Sequence, residues 1–125
     1  MKNLSLIFTL VTLILFSCRK SDYQVPTYQT IKDNGSGVGT VTWVEGKNYI
    51  IEGFVYVNDG QVLTIEPGVV VRAKTGQAEN ASALIVARGG KIIAQGTAEK
   101  PIIFTVEGDD LQGSIPVGAS GLWGD

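Results

Sequence analysis

The stretch LTIEPGVVVRA, Leu63 to Ala73, returns in looser form as LIVARGGKIIA, Leu84 to Ala94. Leu, Gly and Ala recur at the same three places, with a branched aliphatic two positions after each Leu. Apolar residues alternate with polar or half-exposed neighbours on both sides of the glycine, the period-2 signature of half-buried strands. Each such strand is only a few residues long before a turn signal, too short to be stable as an isolated hairpin. A chain that repeats such a unit can solve the problem by coiling. Each turn of the coil then pairs its backbone with the turn above and stacks its inward aliphatics into a shared core. The offset that carries Leu63 onto Leu84 also predicts Ile65 against Val86, Gly68 against Gly89 and Val71 against Ile92.

The same grammar runs along the chain from Trp43. Val55 and Val57 precede Asn58-Asp59-Gly60, Leu63 and Ile65 precede Glu66-Pro67-Gly68, and Ile92 and Ala94 precede Gly96. Ile102 and Phe104 follow Pro101. Gly is abundant, at 16 of 125 residues, which suits corners that need left-handed dihedrals or close backbone approach. Pro67 lacks an amide donor and suits a corner rather than a ladder interior. A β-sandwich is the alternative; it explains the alternation but not the common offset of glycines and aliphatics.

The N-terminus carries a different message. MKNLSLIFTLVTLILFSCRK places Lys2 before an apolar run from Leu4 to Phe16, followed by Ser17 and Cys18. A bilayer core needs about 20 apolar residues, so this shorter run reads as a secretory signal rather than a permanent span. Leu15-Phe16-Ser17-Cys18 resembles the lipobox of bacterial lipoproteins. The resemblance implies cleavage between Ser17 and Cys18 and lipidation of Cys18, the single cysteine. Two or more acyl chains would hold the protein stably at a membrane. Phe16 is bulkier than that pattern usually carries, and Arg19 and Lys20 weaken its charge asymmetry; a plain cleaved signal with a chance cysteine and an uncleaved anchor are the alternatives, and all three imply export. The implied location is outside the cell, at the bacterial outer membrane or cell surface.

Without residues 1–17 the chain has 9 basic and 12 acidic side chains, a balance of −3. That argues against a nucleic-acid partner, which calls for a basic stripe. Histidine is absent, which removes the commonest general base and the commonest zinc ligand. Residues 21–39, SDYQVPTYQTIKDNGSGVG, are polar and turn-rich, so residues 18–39 are expected to be a lipidated cysteine and flexible tether, with a short strand around Tyr28 to Ile31 as the alternative. Residues 40–125 form the expected folded part.

VLTIEPGVVVRA, ALIVARGGKIIAQGTAEKPIIFT and the terminal GLWG resemble the opening coils of right-handed parallel β-helix, pectin-lyase-like proteins. The resemblance covers Trp43 to Thr105 and Gly121 to Gly124. It implies an all-β solenoid, of which about two to three coils are present. Because such solenoids usually contain more, the sequence reads as a truncated version, and an open coil edge invites self-association.

Chemistry has few places to reside. Lys74 to Ala83, KTGQAENASA, reads as a projecting polar loop whose Gln77, Glu79 and Asn80 could meet a sugar. Trp43 and Trp123 could stack on a saccharide or close the end of the core. Glu107-Gly108-Asp109-Asp110 gathers carboxylates without the regular spacing of a calcium loop, so no metal is assigned. Arg72 and Arg88 are candidates for proton abstraction, since related polysaccharide lyases use a basic side chain. The repeat alignment sets them against Ile93 and Pro67, at different places on the coil. No catalytic residue and no cofactor are expected. The chain reads as a lipid-anchored, non-enzymatic scaffold or adhesion module with a polysaccharide or cell-surface partner. The alternative is the N-terminal part of a polysaccharide lyase or glycoside hydrolase whose catalytic coils lie beyond residue 125.

Overall fold

A computed structural model describes residues 27–113. Nine strands fill this span: β1 Tyr28–Ile31, β2 Val41–Trp43, β3 Asn48–Ile51, β4 Phe54–Val57, β5 Val62–Ile65, β6 Val70–Ala73, β7 Ala83–Val86, β8 Lys91–Ala94 and β9 Ile103–Val106. Every pairing is parallel, and three sheets result: A (β1-β3-β6-β9), B (β2-β5-β8) and C (β4-β7). From β3 the chain visits the faces in the order A, C, B and returns to A, so the architecture is a three-faced parallel β-helix. The expected all-β solenoid is the observed fold.

Corner chemistry explains why the chain turns where it does. The four-residue corners Val44–Lys47, Asn58–Gln61, Glu66–Val69 and Ala87–Gly90 each carry Gly at the third position. Gly46, Gly60, Gly68 and Gly89 all have φ between 74° and 84°. In each corner the fourth residue's N–H donates to the first residue's carbonyl, from 3.0 Å at Asn58–Gln61 to 3.4 Å at Val44–Lys47. A turn with positive φ at its third residue selects glycine, and Pro67 occupies the second place that proline favours.

Between these corners, alternation decides burial. Leu63, Ile65, Val55, Val57, Val71, Ile51 and Ala73 point inward and form the core with Trp43, Tyr49 and Val69. Stacked columns run along the axis, as in Val41–Leu63–Ile92 and Tyr49–Val71–Phe104.

The register differs from the one the repeated motif suggests. Leu63 pairs with Ile92, not Leu84, and Leu84 pairs with Val55. Ile65 and Val86 lie in separate sheets, B and C. The basic coil is one position longer than the echo, carrying Val41 onto Leu63 and Asn48 onto Val70. It lengthens where residues 74–82 replace the two-residue corner Glu52-Gly53, so that Phe54 meets Ala83. It is longest from Val70 to Ile103, because residues 95–102 also replace a four-residue corner. The echo in the sequence therefore relates two like corners on different faces. The short step from β5 to β6 and the step from β6 to β7, stretched by the insertion, together happen to produce it.

Within residues 18–39, expected as the tether, the alternative of a short strand at Tyr28 to Ile31 is the one observed. β1 pairs along its full length with β3, and Ile31 packs against the core. YQTI has no apolar alternation of its own; the neighbouring coil supplies the partner. Ser17 and Cys18 lie outside the described residues.

Candidate functional site

The longest insertion builds the most distinctive surface. Lys74 leaves β6 at the corner between sheets A and C, and the chain makes a 3-10 turn, Ala78–Asn80, before β7. Ser82 is buried and fastens the base of the loop: its hydroxyl donates to the Lys74 carbonyl at 2.7 Å and accepts the Gly53 N–H at 3.3 Å. Glu79 and Asn80 are exposed on this ledge, as is Gln77 at its start. Beneath it lies a cleft of about 330 Å³ lined by Lys32, Asp33, Glu52, Lys74, Glu79 and Asn80, with Gly53 and Thr75.

The coil register assembles that cleft. Glu52 N–H donates to Ile31 O and Lys74 N–H to Ile51 O, so Lys32, Glu52 and Lys74 follow one another along the axis. The Glu52 carboxylate lies 2.8 Å from Lys32 Nζ and 3.2 Å from Lys74 Nζ. The bond from Lys32, reinforced by Lys74, outweighs partial burial and holds the Glu52 carboxyl below the ordinary carboxylate range. Two cations around one carboxylate leave it a poor base and a paired acceptor. Neither Lys32 nor Glu52 stood out in the sequence, and Lys74 did so only as the start of a loop. Their spacing along the chain acquires meaning only once the coil length is known.

The two arginines occupy separate faces. Arg72 sits on the outer side of sheet A, beside Ile50 and Thr105 rather than Ile93, yet is only 6% exposed. Its Nε and Nη2 donate to the Asp109 carbonyl at 3.3 and 3.2 Å, and Nη1 donates to Asn48 Oδ1 at 3.3 Å. The guanidinium carbon stands 5.6 Å from the centre of the Tyr28 ring. Arg88 lies in the corner between sheets C and B.

Asp109 turns its carboxylate to the Thr105 hydroxyl and the Leu111 N–H, so the acidic turn is knitted into the coil. Among the described residues no three acidic, Cys or His groups converge as metal ligands do.

Trp43 is 2% exposed and stacks on Tyr49, with ring centres 5.0 Å apart and planes 16° apart. Its indole face is committed to the core and is not offered to a saccharide. The Tyr49 hydroxyl accepts the Val44 N–H at 2.9 Å, which satisfies a buried polar atom. Above this pair a bowl of about 480 Å³ opens between β1 and β2, lined by Gln29, Ile31, Val38, Val41 and Lys47 among others. Trp123 lies outside the described residues.

No curated protein and no solved structure matches this chain. The family model described as a pectate-lyase-like β-helix domain matches residues 35–119. With that match spanning most of the sequence and the parallel three-faced coil beneath it, the chain belongs to the pectate-lyase-like β-helix family.

Proposed function

We propose that this protein is an exported, lipid-anchored surface module whose β-helix acts as a stiff, non-enzymatic scaffold for adhesion or carbohydrate contact. Leu15-Phe16-Ser17-Cys18, after an apolar run too short to span a bilayer, supports export and acylation at Cys18. With β1 beginning at Tyr28, only residues 19–27 separate Cys18 from the first strand. Fully extended, they reach at most about 35 Å. The first coil would then stand close to the membrane, with the 74–82 ledge displayed to the side.

One observation carries the non-enzymatic reading. Arg72, the buried cation among the described residues, is bound to Asp109 and Asn48 instead of facing an open groove. A proton-abstracting base must reach its substrate with a free lone pair. The second reading, an enzyme with its catalytic coils beyond residue 125, draws support from Val86, Ile92 and Phe104. These side chains lie in inward columns and are 37–43% exposed, a surface that further coils would bury.

Fractionation tests the anchor: Cys18→Ser protein should leave the membrane fraction and appear soluble, whereas an unchanged distribution would refute lipidation. Incubating the purified chain with acidic and neutral polysaccharides should give retention without chain cleavage or unsaturated ends. Cleavage would favour the enzyme. A triple Ala variant of Gln77, Glu79 and Asn80 should weaken retention, and equal retention would remove the ledge from the account.

A further inference from the structure

The first coil has no strand on face C among the described residues. In its place residues 33–39 cross above the free edge of β4, with Gly35, Gly37 and Gly39 at positive φ. A neighbouring strand would give Tyr56 both an acceptor and a donor. The loop supplies the same two groups by other means. Asp33 Oδ2 accepts the Tyr56 N–H at 3.0 Å, and the Val38 N–H donates to Tyr56 O at 2.9 Å. The other Asp33 oxygen accepts the Gly35 and Gly37 N–H groups, each at 2.9 Å.

Two side chains of the corner after β4 fasten the loop from below. Asn58 Nδ2 donates to Gly35 O and Gln61 Nε2 to Ser36 O, both at 2.9 Å. Gln61 Oε1 also accepts the Asn58 N–H, so the corner and its two side chains are tied together.

We propose that residues 33–37 form an acid-opened cap, which closes the sheet C edge against strand addition only while the Asp33 carboxylate is ionised. An ionised carboxylate is acceptor-only and can serve all three N–H groups at once. Protonation places a hydroxyl donor among donors and weakens each of those bonds.

The charged groups facing Asp33 are Lys32 on its own segment, Glu52 from the corner after β3, and Lys74 and Glu79 from the 74–82 loop. Both lysines are held by Glu52. Partial burial raises the Asp33 pKa, but the N–H bonds from Tyr56, Gly37, Gly35 and Asn34 outweigh it and leave a net lowering. With the folded value depressed, the cap's stabilisation is complete above the unfolded pKa. It is lost as pH falls below about 4.

Amide exchange by NMR, corrected for the intrinsic rate at each pH, tests the cap on the full chain. Between pH 6 and pH 3, protection of the Tyr56, Gly35 and Gly37 amides should fall several-fold further than that of the β5 amides. Asp33→Asn should show this loss already at pH 6 and no further step. Glu52→Gln should keep the step, because the Asp33 carboxylate that accepts the three N–H groups is unchanged. The proposal is overturned if Tyr56 protection ignores pH, if it falls together with the β5 amides, or if the step vanishes in Glu52→Gln. Should Asp33→Asn fail to fold, the wild-type and Glu52→Gln titrations decide alone.

Discussion

Leu63 and Ile92 occupy the same column of sheet B, one above the other, yet their surroundings differ sharply. Leu63 is fully buried, with Val41 above and Ile92 below; Ile92 is 37% exposed, with no described strand beneath it. Val57 and Val86 in sheet C repeat the contrast at 0% and 41%, and Val71 and Phe104 in sheet A at 0% and 43%. The inward direction alone does not bury a residue in this fold. A coil contributes half a core, and its neighbours along the axis complete it. Stability should therefore be unevenly distributed, highest in β3 to β6 and lower in β7 to β9.

That gradient can be broken directly. Leu63→Ala should cost about 3–5 kcal/mol in denaturant unfolding, since it leaves a cavity enclosed from above and below. Ile92→Ala should cost about 1–2 kcal/mol, because solvent already reaches the site. Equal costs would mean that the column is not layered as described.

A smaller effect sharpens the comparison at the corners. Gly60 and Gly90 are the third and fourth residues of stacked corners, and their reasons for being glycine differ. Gly90 lies so close to the coil above that a Cβ there would overlap the Val57 carbonyl. Gly90→Ala should cost about 2–3 kcal/mol. Gly60 has φ +74° with open space where a Cβ would stand, so Gly60→Ala should cost about 1 kcal/mol through the backbone alone. The reverse order, read from thermal midpoints, would contradict the tight contact between coils.

The smallest effect belongs to the charged column. Glu52 is partly exposed, and surface ion pairs contribute little. Glu52→Gln should lower the midpoint slightly at neutral pH. Its carboxyl is depressed on folding, so the difference from wild type should fade as pH falls below about 4 and should shrink with added salt. A difference that grows in acid would refute the pairing.

What the sequence disclosed follows the same division between local and axial information. Corners were legible at Gly60, Gly68 and Gly89, because a left-handed turn residue leaves its mark within a few positions. The inward aliphatics were legible because alternation is local. Coil length was not. The insertion 74–82 produced a chance spacing that mimicked a period, while the true coil hid in the less conspicuous pairings of Val41 with Leu63 and Asn48 with Val70. The strand at Tyr28 to Ile31 was legible only as an alternative to the tether, because its pairing with β3, not its own composition, makes it a strand.

The candidate cleft divides likewise. Gln77, Glu79 and Asn80 announced themselves as a polar loop. Lys32, Asp33 and Glu52 come together only through register, and a sequence read with the wrong period cannot place them. Arg72 looked available because its partner Asp109 is far along the chain and meets it only after coiling.

Register is thus the claim on which the rest depends, and a disulfide measures it. Thr64 lies directly beside Ile93 across β5 and β8, on strands about 4.8 Å apart, within bridging distance for two cysteines. In a Cys18→Ser background, Thr64→Cys/Ile93→Cys should close an intramolecular bridge under mild oxidation, seen by peptide mass mapping. Thr64→Cys/Ile85→Cys, the pair that the Leu63-to-Leu84 echo would align, should stay reduced because Ile85 is in sheet C. Bridging of the second pair but not the first would contradict the coil with its insertions, and the assembled cleft and cap would fall with it.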